Sequence, residues 1–321
     1  MSHIIKRTLS ASSIKCMETC QWMYWQQYIN KIPQRGNAGS SRGSTVHLIF
    51  ELLLNPRHRK HYDSIVKNND IKGSPAIRRL LIRQLKKYDI FNVENYDMCN
   101  KMILVGLNLD FFGEGGTVGE PEFRFELSNE SPEYKIRGYI DKTITYPDGH
   151  VKIVDYKSSK AKFSGDDLEA NVQAMVYSLV GYKILKAKKA SAEFIFLRFP
   201  KQPLQQLVFT ESQLKGLEHY LSYMYELTNS LTAETAKNNL AINCEKKKWL
   251  CKAGKWECPY LRPFKYHALL DAEGNVARTA LKKEDLKPEP GQTFTILEAA
   301  GCPGHPNISS PTKKIINNDF D

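Results

Sequence analysis

Two aspartates, a lysine and their spacing carry the strongest chemical signal in this 321-residue chain. Gly138-Tyr139-Ile140-Asp141 is followed, across a Pro147-Asp148-Gly149 turn signal, by Ile153-Val154-Asp155-Tyr156-Lys157. Asp141 and Asp155 stand 14 positions apart, a separation that antiparallel strands joined by a short turn can close into neighbouring positions. Asp155 and Lys157 are two apart, so both project from one strand face. Two carboxylates and an ammonium on one face suit a hard divalent cation, Mg2+ or Mn2+, with the lysine orienting or activating a water. Such a centre fits a phosphodiester, because the cation neutralises charge developing on the phosphoryl oxygens. Taken alone, D-x-K also describes many solvated strand edges.

Further features accompany these three residues. Gly43-Ser44-Thr45-Val46-His47 opens a helix upstream and supplies an imidazole, a residue type that is more often structural when it stands alone. Glu122 lies on the strand before Gly138, with Glu120 as a nearby alternative. Gln173 and Tyr177 are four apart on the helix after Lys157 and share a face. Gln173 can bond a base or phosphate, and Tyr177 can stack or donate; a helix-boundary glutamine and a core tyrosine would look the same.

The elements that must position these groups follow from periodicity. Residues 1–112 read as mainly helical. Ser10, Ser12 and Ser13 offer cap oxygens before a helix over about 14–29, and a loop spans 33–42. A second helix starts near Ser44, residues 55–75 read as a solvated basic connection, and further helices cover about 76–88 and 96–111. Gly113, Gly115 and Gly116 break the chain. Period-two alternation then marks strands at 121–127, 134–146 and 151–156. A helix at about 166–185, a strand at 193–199 and a helix at 211–229 complete an α/β core.

In this order, the segment around Ser12–Cys20, G-x-x-x-H, a strand glutamate, G-Y-I-D, D-Y-K and Q-x-x-x-Y resemble the RecB-like branch of the PD-(D/E)XK nuclease superfamily, over about residues 10–200. Relatives of this kind include RecB and AddB nuclease domains and CRISPR adaptation nucleases. The resemblance implies a restriction-endonuclease-like core with a mixed central sheet flanked by helices. It makes His47, Asp141 and Asp155 the Mg2+ or Mn2+ ligands, with Glu122 supporting a ligand or a second metal. Lys157 would position the attacking water, and Gln173, Tyr177 and Lys160 would contact DNA. The implied activity is metal-dependent DNA hydrolysis, exonucleolytic on single strands or ends. The alternatives are an endonuclease directed by structure or sequence, or a non-catalytic DNA-binding or partner-docking module. DNA is the expected partner, with replication or recombination proteins beside it. The solitary nuclease core looks phage-like.

The seven cysteines are a separate puzzle. Cys244, Cys251 and Cys258 follow one another at intervals of seven, and Cys302-Pro303-Gly304-His305 resembles a ligand knuckle. One expectation is structural zinc on Cys251, Cys258, Cys302 and His305. In iron–sulfur RecB-like nucleases an N-terminal cysteine joins three C-terminal ones, and that likeness implies a [4Fe–4S] cluster on Cys20, Cys244, Cys251 and Cys258. The C-x-x-C usual in such a trio is missing, and ordinary free thiols are the third alternative. Cys16 and Cys99 are expected to be plain buried thiols.

Composition bounds the rest. Lys plus Arg total 46 and Asp plus Glu 35, a net charge of +11, with a pI near 9.1. That balance favours a polyanion, and Lys152, Lys160 and Lys162, with the run Lys183, Lys186, Lys188 and Lys189, are candidate phosphate contacts. Aromatics at 11% exclude wholesale disorder. No run approaches the ~18 apolar residues of a membrane span. The N-terminus has no apolar leader, so a reducing cytoplasm, bacterial or of a phage-infected host, is expected. The expected organisation is a helical part over 1–112, a catalytic core over 113–236, a small cysteine-rich metal-binding attachment over 237–306 and a flexible tail over 307–321.

Overall fold

The computed structural model describes residues 6–34, 36–244, 247–251 and 257–305. The expected tail from Asn307 lies outside them. In chain order the helices are α1 (Ala11–Thr19), α2 (Gln21–Tyr24), α3 (Ala38–Leu54), α4 (Arg59–Asn68), α5 (Pro75–Lys87), α6 (Val93–Leu107), α7 (Asp166–Glu169), α8 (Val172–Lys183), α9 (Glu211–Ser230) and α10 (Ala233–Asn238). The strands are β1 (Thr117–Val118), β2 (Phe123–Glu130), β3 (Glu133–Ile140), β4 (Lys142–Thr145), β5 (His150–Lys157), β6 (Lys189–Phe196), β7 (Leu204–Leu207), β8 (Phe264–Leu270), β9 (Val276–Ala280) and β10 (Thr293–Ala299). Among the described residues no helix is long and apolar enough to cross a membrane.

Contacts divide the chain into two compact units, residues 37–225 and residues 1–36 with 226–321, the second boundary falling inside α9. This differs from division at 112/113 and 236/237, because the first 36 residues group with the C-terminal part.

In the unit over 37–225, a five-stranded sheet runs β1-β4-β5-β6-β7. Only β5 and β6 are parallel, and α8 makes the crossover between them, so the sheet is mixed. On one side Val154 and Tyr156 of β5, with Ile144 and Ile195, join Val46, Ile49, Phe50 and Leu53 of α3 and residues of α5 and α6 in one buried core. On the other side α8 lies so close that a Cβ on Gly181 would stand 2.9 Å from the Ala190 Cβ. A separate antiparallel ribbon pairs β2 with β3. β3 stops at Ile140 and β4 starts at Lys142, so the single strand expected over 134–146 is broken at Asp141.

Three further local differences have identifiable causes. Asn37 caps α3 through a bond to the Ser40 amide, so the helix begins six residues before Ser44. The basic stretch at 55–75 contains α4, whose exposed charges mask a narrow apolar stripe with Ile65 fully buried. Strands β7, β8 and β9 also lie in segments whose alternation is weak.

In the unit over 1–36 and 226–321, Ser10 caps α1, which is shorter than expected: α2 and a π-turn over Trp25–Ile29 follow Cys20. The sheet is antiparallel, ordered β10-β8-β9. Ile32, Tyr260, Phe264, Tyr266 and Ala299 form a small core, and the Tyr260 hydroxyl donates to the Ile32 carbonyl at 2.9 Å. N-terminal and C-terminal segments therefore share one apolar centre.

Candidate active site

The β4–β5 hairpin carries the first half of the site, with Lys142 paired to Val154. Asp141 caps the hairpin from the break after β3: its Oδ2 accepts the Tyr156 amide at 2.7 Å. The imidazole of His47, from α3, fills the space beside it. Nδ1 lies 3.2 Å from Asp141 Oδ1, and Nε2 lies 2.8 Å from the Tyr156 carbonyl oxygen. The main chain of Tyr156 thus ties a helix residue to a hairpin residue 94 positions later. Gly43, one turn before His47, explains the G-x-x-x-H spacing. A Cβ there would stand 2.7 Å from Ser158 Oγ, so glycine lets α3 approach the end of β5 without displacing that hydroxyl.

Glu122 enters from the residue before β2 with φ at +53, a left-handed conformation unusual for a glutamate. Its amide donates to the Asp141 carbonyl at 3.2 Å. One ligand atom each from His47, Glu122 and Asp141 lie within 4.8 Å of one another. These three residues could hold a metal ion, and Asp155 of the expected set lies close enough to feel the charges of His47 and Asp141.

Asp155 sits beside this group, and its buried Oδ2 has no hydrogen-bond partner among the described residues. It is buried, with Lys157 Nζ 2.8 Å from Oδ2. Gln173 Nε2 donates to Oδ1 at 3.0 Å, and the Tyr177 hydroxyl lies 2.9 Å from the same oxygen. Lys157 also donates to Gln173 Oε1 at 2.8 Å. Gln173 and Tyr177 were expected to meet DNA. Instead Tyr177 is buried, and both spend their polar atoms fixing the Asp155–Lys157 pair.

The electrostatics reflect crowding of like charge. Burial, and then Asp141, push the Glu122 carboxyl up, with Asp155 and Glu51 adding to it and His47 opposing. Burial also pushes Asp155 up, against the pull of Lys157. At His47 burial opposes the charged ring, but the bond to Asp141, the charges of Asp141 and Asp155 and the Tyr156 carbonyl raise it to about 9. The imidazolium is thus the cation that the carboxylates gather around.

Other expected DNA contacts separate by strand parity. Lys152 lies on the face of β5 opposite Asp155 and Lys157 and pairs with Glu193 at 3.5 Å. Lys183 pairs with Glu218, which also accepts from Tyr134. Lys160 is exposed in the loop after β5. The sequence reading missed Glu51, whose signal is its i+4 spacing from His47. It also missed Lys142, which is buried and donates to the carbonyls of Asp110 and Phe111 at 3.3 Å.

The PD-(D/E)XK nuclease superfamily model matches residues 8–262. The chain belongs to the PD-(D/E)XK nuclease superfamily. An ATP-dependent helicase/deoxyribonuclease subunit from Streptococcus mutans serotype c is 26% identical over 230 residues, covering 67% of this chain and 20% of that protein. The same subunit in Streptococcus agalactiae serotype III is 23% identical over 248 residues, covering 73% and 22%. This chain therefore spans about one fifth of the curated relatives it matches. A solved structure from Eubacterium rectale, named a candidate exonuclease, aligns over 75% of this chain and 87% of its own, at 14% identity and a TM-score of 0.46.

A second cluster lies wholly within the unit over 1–36 and 226–321. Cys20, Cys251, Cys258 and Cys302 line one cavity, with Trp22, Met23 and Leu261 among its apolar walls. This set takes three members from each expected quartet. Cys302 stands where Cys244 was expected, and Cys20 replaces His305. Burial pushes Cys258 up to about 12; the Tyr260 amide opposes this, and Cys20, Cys302 and Cys251 add to it. Burial likewise raises Cys302 against the amides of Gly304 and His305, and raises Cys251, with Cys302 and Cys20 adding to it, against the amide of Ile242. Burial prevails over the backbone N–H groups, so these thiols are held neutral until a metal displaces their protons.

Proposed function

We propose that this chain hydrolyses DNA phosphodiester bonds with a bound divalent cation, working from single-stranded ends. The observation that carries the proposal is the convergence of His47, Glu122 and Asp141 within 4.8 Å beside the Asp155–Lys157 pair. Two carboxylates and one imidazole suit Mg2+ or Mn2+, and the upward push on Glu122 is the strain that a cation relieves. Bound there, the cation supplies a Lewis acid for the phosphoryl oxygens and lowers the pKa of water.

The chain's own residues do the rest. Gln173 Oε1 accepts one Lys157 N–H and Asp155 holds the ammonium as an ion pair, which leaves N–H groups for the attacking water or a phosphoryl oxygen. Asp155 is held by Gln173 and Tyr177, so the ammonium does not wander. The Tyr156 carbonyl accepts from His47 Nε2, which keeps the other ring nitrogen turned towards Asp141. Water adds to phosphorus in line with the departing oxygen, whose P–O bond breaks and which leaves with a proton.

End-labelled linear DNA and circular single strands, each with Mg2+ or EDTA, test this reading. The intact protein is expected to degrade linear DNA with Mg2+ only and to spare circles, and Asp141→Ala to degrade neither. Cutting of circles would make it an endonuclease, and unchanged cutting by Asp141→Ala would remove the site assignment. Because the matched relatives belong to helicase/deoxyribonucleases, a DNA-unwinding partner is part of the proposal.

Cation uptake should depend on pH in a defined direction. His47 binds a cation only after losing the Nδ1 proton, and its pKa stands at about 9. Apparent Mn2+ affinity is therefore expected to rise about tenfold per pH unit from 7 towards 9 and then level off. Calorimetry in buffers of different ionisation enthalpy should count about one proton released per Mn2+ at pH 7. Affinity independent of pH would exclude His47 as a ligand.

The thiol cavity is proposed to hold a [4Fe–4S] cluster. Tetrahedral zinc needs sulfurs about 3.8 Å apart, set by Zn–S bonds of about 2.3 Å. Among the described residues the only group of three ligands within 4.8 Å is His47, Glu122 and Asp141, so no three of the four sulfurs lie that close together. A cube of iron and sulfide spans such a gap. There it would clasp the N-terminal segment to the C-terminal one.

A further inference from the structure

The β2–β3 ribbon has a solvent face that the site does not use. Its inner face is apolar, with Phe125, Leu127, Tyr134 and Ile136 buried. On the outer face Arg124 pairs across the strands with Tyr139, and Glu126 with Arg137. Tyr139 is 58% exposed, although it stands two residues before Asp141. Glu126 is neutralised by Lys135 at 2.8 Å. Among the described residues neither Arg124 nor Arg137 has an ion pair, so this end of the face is basic. The far tip is acidic, where Glu130 stands opposite Glu133.

The ribbon is also physically joined to the site. Glu122 immediately precedes β2, and Asp141 immediately follows β3. The Tyr177 hydroxyl, bonded to Asp155, lies 3.2 Å from the Tyr139 carbonyl oxygen. Gly138 leaves room beneath: a Cβ there would stand 2.7 Å from the Phe125 ring. An aromatic ring on solvent is thus fixed about 7 Å along the strand from Asp141.

We infer that this face is a binding platform for single-stranded nucleic acid, on which a base next to the bond being cut stacks on Tyr139 while Arg124 and Arg137 hold its phosphates. The proposal rests on the nuclease reading and adds where the strand lies. Charge complementarity and continuity with the Glu122–Asp141 group select nucleic acid over a protein partner. A base has a π-face for any sequence, and arginine suits phosphate, so the platform is indifferent to sequence. The acidic tip limits the contact to the half nearest the site.

Fluorescence anisotropy of 5′-labelled dT20 in Ca2+ reads binding separately from cutting. Tyr139→Ala is expected to weaken binding about five- to 150-fold, as loss of one stacked base does. Tyr139→Phe should bind within about twofold of the wild type, since the ring remains. Arg124→Gln with Arg137→Gln should flatten the slope of log affinity against log salt by about 1.4, at about 0.7 for each single-strand phosphate. If the wild type binds and cuts DNA while these variants bind as it does, the platform is wrong and the nuclease reading stands. If the wild type neither binds nor cuts any DNA, both fall. If an Asp141→Ala variant still cuts but Tyr139→Ala weakens binding, the platform stands without the proposed centre.

Discussion

Lys157→Ala is expected to lower Mg2+-dependent DNA hydrolysis by about 10²–10³-fold, the cost of removing one preorganised donor from a reacting centre. The loss should extend to stability, because Asp155 is only 5% exposed and Lys157 is its ion-pair partner at 2.8 Å. Removing one member of such a pair leaves a buried carboxylate without its ion-pair partner, His47 being the cation that remains near it. Lys157 itself keeps contact with solvent, so the cost should fall below the roughly 3–5 kcal/mol of a fully buried pair. Asp155→Asn in the same background should recover part of that loss, giving a coupling energy of about 1–3 kcal/mol in urea unfolding.

A pH signature accompanies the change. Burial already pushes Asp155 up, and Lys157 is the largest opposing influence. Without it the carboxyl rises further, so the acid limb of the residual activity should move to higher pH. An acid limb that stays in place, with no coupling between the two substitutions, would separate Asp155 and Lys157 functionally.

Cys20→Ala is expected to abolish the brown absorbance near 400 nm, on the order of what cluster charge-transfer bands show, together with bound iron and sulfide. Cys251→Ala, Cys258→Ala and Cys302→Ala should do the same, whereas Cys244→Ala and Cys16→Ala should keep the colour. The stability effect is large because metal-site free energy is folding free energy, about 10–16 kcal/mol for small structural zinc sites. Cys20 and the three C-terminal cysteines come from opposite ends of the unit formed by 1–36 and 226–321, so its proteolytic resistance should depend on the cluster. Colourless wild-type protein releasing one zinc on thiol modification would replace iron by zinc. Colour lost with Cys244→Ala and kept with Cys302→Ala would overturn the quartet.

The differences between the sequence reading and the structure have physical causes. Gln173 and Tyr177 fall on one helix face, as their spacing requires, but that face turns inward onto Asp155. Spacing defines a shared face and is silent about what covers it. α4 was hidden because only Ile65, with the partly buried Tyr62 and Val66, anchors ten residues of otherwise polar helix. The strand break at Asp141 was hidden too: apart from Lys142, apolar residues recur at every second position around it, yet Asp141 turns aside to accept the Tyr156 amide.

By itself the amino-acid sequence determined the local chemistry. Asp155 and Lys157 share a face because a strand repeats every two residues, and the Pro147-Asp148-Gly149 turn brings β4 against β5. Those relations are set by covalent geometry and turn preference, so they hold wherever the segment packs. Only the tertiary structure decided the partners distant in the chain. His47 reaches Asp141 because α3 buries Val46 and Phe50 against Tyr156. Glu122 joins them through a left-handed backbone, and Cys302 takes the place expected for Cys244 beside Cys20. Many pairings satisfy the same pattern of cysteines and apolar faces, and the burial of one particular set of surfaces selects among them.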